Sequence, residues 1–240
     1  MLIATMYHRV GIGKHANSLE MLSSHLEYIK DHYPVVLPGD PIQKLSTSLC
    51  LTFDDATFDF YHYVFPLLQK WNLRALLGVP VQYILEKSGV SAETRLAVPY
   101  TLAMQEGIYM EKAPFCTFEE LKEMCQSGHV EIASHSYTHA NLTYPHLDLV
   151  KEVEESKKIL EERLPQTISS FIYPFGRMNG VVHAKVREHY PYSFRIGSAT
   201  NFSWNSSLRP LSRIPADNLS TPASPFHWTK RTFSLVKAFF

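Results

Sequence analysis

Two adjacent carboxylates, Asp54 and Asp55, close the apolar run Ser48-Leu49-Cys50-Leu51-Thr52-Phe53. A short run of this kind forms a buried strand. Carboxylates at its end are costly to desolvate unless a cation or proton lies nearby; a polar turn after the strand is the other reading. Downstream, His135-Ser136-Tyr137-Thr138-His139 sets two imidazoles in an H-x-x-x-H spacing, just after a second apolar run. One helical turn or a tight loop would aim both at a single ion. Ser136 stands where a metalloprotease would need a general-base glutamate, so that chemistry is excluded. With Asp55 added, two neutral nitrogens and one carboxylate make a three-ligand site with open positions. Such a donor set suits catalytic zinc and equally the non-haem iron oxygenases.

The elements that must position these residues follow from hydrophobic period. Leu2 to Met6 reads as a strand that ends in Tyr7-His8-Arg9. Leu19, Leu22, Leu26 and Ile29 mark one face of a helix. Val35 to Leu37 is a short strand candidate, Leu49 to Phe53 the next strand, and Phe58, Tyr61, Phe65 and Leu68 a helix that Pro66 would kink. Arg74 to Val81 reads as a strand; residues 83–115 show no clean period and form an insertion on the loop side. Thr117 and Glu120 make a capping box for a helix running to Gly128. Val130 to Ala133 is a strand, Leu147 to Leu164 the longest helix, Ile168 to Tyr173 a strand, and Val181 to Tyr190 a helix. Tyr192 to Ile196 and Leu211 to Ile214 complete the strands. The alternation argues a parallel α/β sheet. Several strands end in chemically capable residues, which favours a closed (β/α) barrel with a shared mouth over an open sheet.

The bulk numbers fit this. A chain of 240 residues accommodates one large domain, read here as residues 1–240 with the insertion at 83–115. Its 23 basic and 23 acidic side chains balance, which gives no global attraction to nucleic acid or anionic membranes. Cys50, Cys116 and Cys125 lack zinc-type spacing and read as free thiols. No run reaches the roughly 18 apolar residues of a membrane span, and the first residues lack a secretory pattern. The expectation is a soluble, cytoplasmic protein. The basic, aromatic tail from Lys230 to Phe240 reads as a packed terminal helix, with contact to a membrane or a partner as the alternative.

Three motifs in order, Thr52-Phe53-Asp54-Asp55, Ser134-His135-Ser136-Tyr137-Thr138-His139 and Tyr173-Pro174-Phe175-Gly176, resemble the polysaccharide deacetylase family, the NodB-homology or family 4 carbohydrate esterases. The resemblance spans about Leu2 to Ile214, the insertion apart. It implies a distorted (β/α) barrel of roughly seven parallel strands and metal-dependent removal of an acetyl group from a sugar. It assigns Asp55, His135 and His139 to a divalent metal, zinc first, with cobalt, nickel or ferrous iron as alternatives. Asp54 becomes the base that takes a proton from water activated by that metal. The Phe175 backbone N–H would help hold the oxyanion, within a substrate-binding set of Tyr173, Pro174, Phe175 and Arg213.

Two departures from the family pattern stand out. The arginine expected two residues before Pro174 is Ile172, and Arg213 is the replacement candidate for orienting Asp54. The C-terminal Leu-x-His motif that normally supplies the general acid is missing; Met6-Tyr7-His8 stands in for it at the other end. That resembles the circularly permuted branch typified by poly-N-acetylglucosamine deacetylases, and makes His8 the acid. Tyr7, Tyr137 and Trp204 are aromatics for a sugar groove or for the core. The alternatives are an amidohydrolase of the same fold acting on a non-sugar C–N bond, a sugar-binding pseudoenzyme, and an iron oxygenase.

Overall fold

The computed structural model describes residues 1–226; the expected terminal helix from Lys230 to Phe240 lies outside the described residues. Seven strands close a barrel: β1 (Leu2–Tyr7), β2 (Ser48–Phe53), β3 (Ala75–Val79), β4 (Val130–Ser134), β5 (Ser170–Ile172), β6 (Tyr192–Ile196) and β7 (Leu211–Pro215). Every pairing is parallel, neighbours follow chain order, and β7 returns to β1 with Ala4 opposite Arg213. The strands are continuous apolar runs because both faces are covered. Inward-facing Leu2, Ala4, Cys50, Leu76, Ala133, Ile172, Phe194 and Leu211 fill the interior. The opposite faces pack on the helices in a larger cluster that includes Ile3, Leu49, Leu51, Leu77 and Phe171.

Helix α1 (Leu19–His32) starts at Ser18, whose hydroxyl accepts the Met21 N–H at 3.1 Å. It buries Leu22, Leu26 and Ile29, whereas Leu19 is exposed. The next helix is interrupted. A π-helical stretch, Phe60–Val64, precedes α2 (Phe65–Trp71), which places Pro66 in the first turn of α2. A proline there removes no needed donor, so the chain changes helical register where a kink is expected. The long helix is divided in the same way, into a π-helical stretch, Val150–Glu155, and α6 (Ser156–Arg163). Val35 to Leu37 does not form a strand. Val35 makes a single bridge to Leu49, while Val36 and Leu37 pack into the interior cluster.

The segment between β3 and β4 carries two short helices, α3 (Ala92–Leu96) and α4 (Glu106–Lys112), a 3₁₀ turn at Tyr100–Leu102, and then α5 (Phe118–Gln126). The Thr117–Glu120 capping box opens α5 with both reciprocal bonds present. Buried Arg95 bolts the segment down. It donates to the carbonyls of Ala113 and Phe115 at 2.8 Å, forks onto Glu120, and lies 3.5 Å over the Phe58 ring. The last helix, α7 (Gly180–His189), is capped by Asn179. Among the described residues, no helix is long and apolar enough to cross a membrane.

Candidate active site

In a parallel barrel the strands' C-terminal ends share one mouth. His8 follows β1, Asp54 and Asp55 follow β2, His135 follows β4, Pro174 and Phe175 follow β5, and Asp217 follows β7. The backbone is bent hard here. Asp55 (φ 71°), Ser136 (φ 64°), His139 (φ 56°) and Phe175 (φ 57°) all occupy the left-handed region that non-glycine residues avoid. Such conformations cost on the order of 1–3 kcal/mol each and persist only where surrounding contacts impose them.

Asp55 is 1 % exposed, and its Oδ1 has no hydrogen-bond partner. The Nε2 atoms of His135 and His139 lie 3.5 and 3.2 Å from that oxygen. His135 Nδ1–H donates to the Ile172 carbonyl at 2.8 Å, which turns its Nε2 lone pair toward Asp55. Burial pushes His135 down to about 4, so the imidazole is neutral and able to ligate. Burial alone would raise Asp55, but the two histidines hold it well below the usual carboxylate range. These three side chains can each offer one atom to a single ion, all within 4.8 Å of one another. A buried, orphaned carboxylate oxygen between two imidazoles is the donor set a divalent cation requires.

The histidine loop hangs on a residue that motif reading misses. Buried Glu152, in the π-helical stretch, accepts the N–H groups of Tyr137 and Thr138 at 3.0 Å and the Thr138 hydroxyl at 2.6 Å. Ser136 Oγ accepts the His139 N–H at 3.0 Å. The extra residue of a π turn is often found at functional sites.

Asp54 and Asp55 face different partners. Arg213 donates from both terminal nitrogens to Asp54, at 2.6 Å to Oδ1 and 2.9 Å to Oδ2, and also to Thr52 Oγ1 at 2.9 Å. The barrel interior delivers this guanidinium from β7, while Ile172, on β5, packs against Gly78 beside His135. Burial would raise Asp54, but Arg213 outweighs it and keeps the carboxylate ionised below its ordinary value. Across the mouth, His8 Nε2 lies 3.8 Å from Asp54 Oδ2. The His8 ring Nδ1–H and backbone N–H donate to the two oxygens of Asp217, at 2.6 and 3.0 Å. Burial pulls His8 down; the Asp217 bond and the charges of Asp54 and Asp55 outweigh it and push the imidazole up to about 9. Asp217 was legible by the rule that singles out Asp54, since it lies just past a strand's end.

Of the expected substrate-binding set, Arg213 is fully buried against Asp54. Tyr173 is likewise buried, its hydroxyl 2.8 Å from His183 Nδ1; Pro174 is buried too, and Phe175 alone of that set is exposed. The Phe175 ring stands edge-on to His139 at 4.8 Å. Tyr7 is a core residue whose hydroxyl donates to His25 at 2.7 Å. Trp204 donates to the Asp40 carbonyl and packs on Tyr192, at the end of the barrel away from the mouth. Tyr137 stays half-buried beneath Lys151.

Seven parallel strands closed around a packed interior, with paired acids and histidines at the mouth, define a (β/α)-barrel of the NodB type. The polysaccharide deacetylase family matches residues 43–192, and the chain belongs to that family. Among curated proteins, YxkH of Bacillus subtilis (strain 168), named for the polysaccharide deacetylases, is 25 % identical over 187 residues, covering 72 % of this chain and 56 % of YxkH. The chain therefore spans just over half the length of that relative. Solved structures share the fold. The de-N-acetylase from Aggregatibacter actinomycetemcomitans superposes with a TM-score of 0.73 at 20 % identity, covering 98 % of this chain and 99 % of its own. IcaB from Ammonifex degensii gives 0.72 at 20 %, covering 99 % and 96 %. BC0361, a polysaccharide deacetylase from Bacillus cereus, gives 0.73 at 20 %, covering 92 % and 66 %. His8, Arg213 and Asp217 fall outside the stretch that the family matches.

Proposed function

We propose that the protein is a metal-dependent hydrolase that removes the acetyl group from an N-acetylated sugar. One observation carries this reading: the orphaned Asp55 Oδ1 faces two imidazole nitrogens while the neighbouring Asp54, tied to Arg213, stays free of them. Asp55, His135 and His139 would hold the ion. When bound there, a divalent cation, zinc first by its donor preference, supplies polarisation of the acetyl carbonyl and a lowered pKa for water.

The chain's own residues do the rest. Asp54, ionised and fixed by the Arg213 fork, accepts a proton from the attacking water. The Phe175 backbone N–H lies at the mouth to help hold the developing oxyanion. His8 stays protonated at neutral pH, because Asp217 and the carboxylates stabilise its cation, and it delivers that proton to the departing nitrogen. Asp217 fixes the ring so that Nε2, not Nδ1, faces the reacting atoms. Base and acid thus flank the same space with opposite protonation states, as hydrolysis of an amide requires.

The test is acetate release from N-acetylglucosamine oligomers, measured on the purified protein before and after treatment with chelator and after zinc is restored. Release that stops with chelator and returns with zinc supports the reading. Release unaffected by complete metal removal would exclude it.

A further inference from the structure

Asp55 has two oxygens, and only Oδ1 faces the histidines. Oδ2 accepts a 2.7 Å hydrogen bond from the hydroxyl of Tyr100, a residue of the segment between β3 and β4. We infer that Tyr100 is a positioning residue of the metal centre, which locks the Asp55 carboxylate to ligate through Oδ1 alone. This rests on the proposed metal triad and adds to it a residue from outside the three motifs.

The geometry supports a locked contact. A tyrosine hydroxyl can donate one hydrogen bond, and this one is aimed at Asp55 Oδ2. Asp55 is acceptor-only when ionised, so the bond has one possible direction. Tyr100 sits on the 3₁₀ turn Tyr100–Leu102, and its ring lies 6.0 Å below the guanidinium of Arg9, which in turn reaches Asp59 at 3.4 Å. The turn belongs to a segment pinned to the barrel by Arg95 and by the Thr57–Phe115 bridge. The hydroxyl is therefore presented by a fixed support. Without it, Oδ2 becomes a second buried acceptor with no partner, and either oxygen of Asp55 can rotate toward the ion. Outer-sphere hydrogen bonds of this type fix a ligand's orientation, and losing one lowers metal affinity about 10- to 100-fold.

The experiment compares Tyr100→Phe with wild type and with Leu102→Ala, an exposed residue of the same turn. Zinc affinity is measured by competition with a chromogenic chelator, the cobalt(II) visible spectrum reports coordination, and melting curves taken with chelator report folding. The inference predicts zinc affinity about 10- to 100-fold weaker in Tyr100→Phe. It also predicts an altered cobalt spectrum there, a cooperative metal-free melt at a somewhat lower temperature because Oδ2 loses its donor, and wild-type affinity in Leu102→Ala. Tyr100→Phe binding zinc within twofold of wild type, with the same cobalt spectrum, would overturn this inference and leave the triad standing. Equal weakening in Leu102→Ala would also overturn it, because the turn and not the hydroxyl would then matter. Wild type failing to bind zinc would instead bring down the triad and this inference together.

Discussion

Arg213, on β7, holds both oxygens of Asp54, at the end of β2, across the interior of the barrel. The strand that the family pattern uses for this cation carries Ile172, and the guanidinium arrives from a different strand at the same carboxylate. Replacing Arg213 with alanine strands a buried anion. Breaking one half of a buried pair costs about 3–5 kcal/mol, so Arg213→Ala is expected to lower the denaturation midpoint strongly. Arg213→Lys keeps the charge without the fork. It is expected to recover part of the stability and less of the rate, as read by urea melts alongside acetate release.

His8, the proposed acid, is expected to set the alkaline limb of the rate profile. Its folded pKa of about 9 lies above the ordinary 6.5. The stability this contributes is fully present below 6.5 and is lost as the pH rises through 9. The acid is protonated over the same range, so kcat/KM is expected to fall above about pH 9. Asp217→Asn removes the main hydrogen-bonded support for the cation. The alkaline limb should then move toward neutrality by at least about one unit. A limb that stays in place in the variant would dismiss His8 as the group responsible.

Glu152 is expected to matter to the metal without touching it. Glu152→Ala leaves the N–H groups of Tyr137 and Thr138 without their acceptor. Each buried orphan costs about 1–3 kcal/mol, and the loop carrying His135 and His139 should relax. Weaker zinc binding, together with a lower melting temperature, is the expected result of calorimetric titration.

A second cluster, His8, His15 and Asp217, also brings three potential ligand atoms within 4.8 Å. There, however, Asp217 already accepts two hydrogen bonds from His8, and all three residues are only half-buried. Zinc-edge anomalous diffraction on zinc-soaked crystals should show density among Asp55, His135 and His139 and none beside His15.

The parallel barrel was readable because its strands are short apolar runs that end in polar, reactive residues. Asp54, Asp55 and the two histidines stand out for the same reason: their spacing within single motifs is local. Arg213 could be singled out as an arginine in a late strand, but its fork to Asp54 depends on the closure of β7 against β1. Tyr100 and Glu152 act through contacts between distant parts of the chain, which no local period reveals. Tyr7 and Trp204 were open between groove and core for a related reason, since an aromatic fits both and only packing separates the two. Pro66 shows the limit of helix rules, because a π-helical stretch relocates it to a harmless position.

The most direct measurement is the rate of acetate release by Asp54→Asn at full zinc occupancy. This substitution removes the proposed base while leaving Asp55, His135 and His139 in place. The expected result is one zinc per chain and a rate reduced by about 10²- to 10⁴-fold, the usual contribution of a positioned base. Wild-type acetate release from zinc-loaded Asp54→Asn would contradict it.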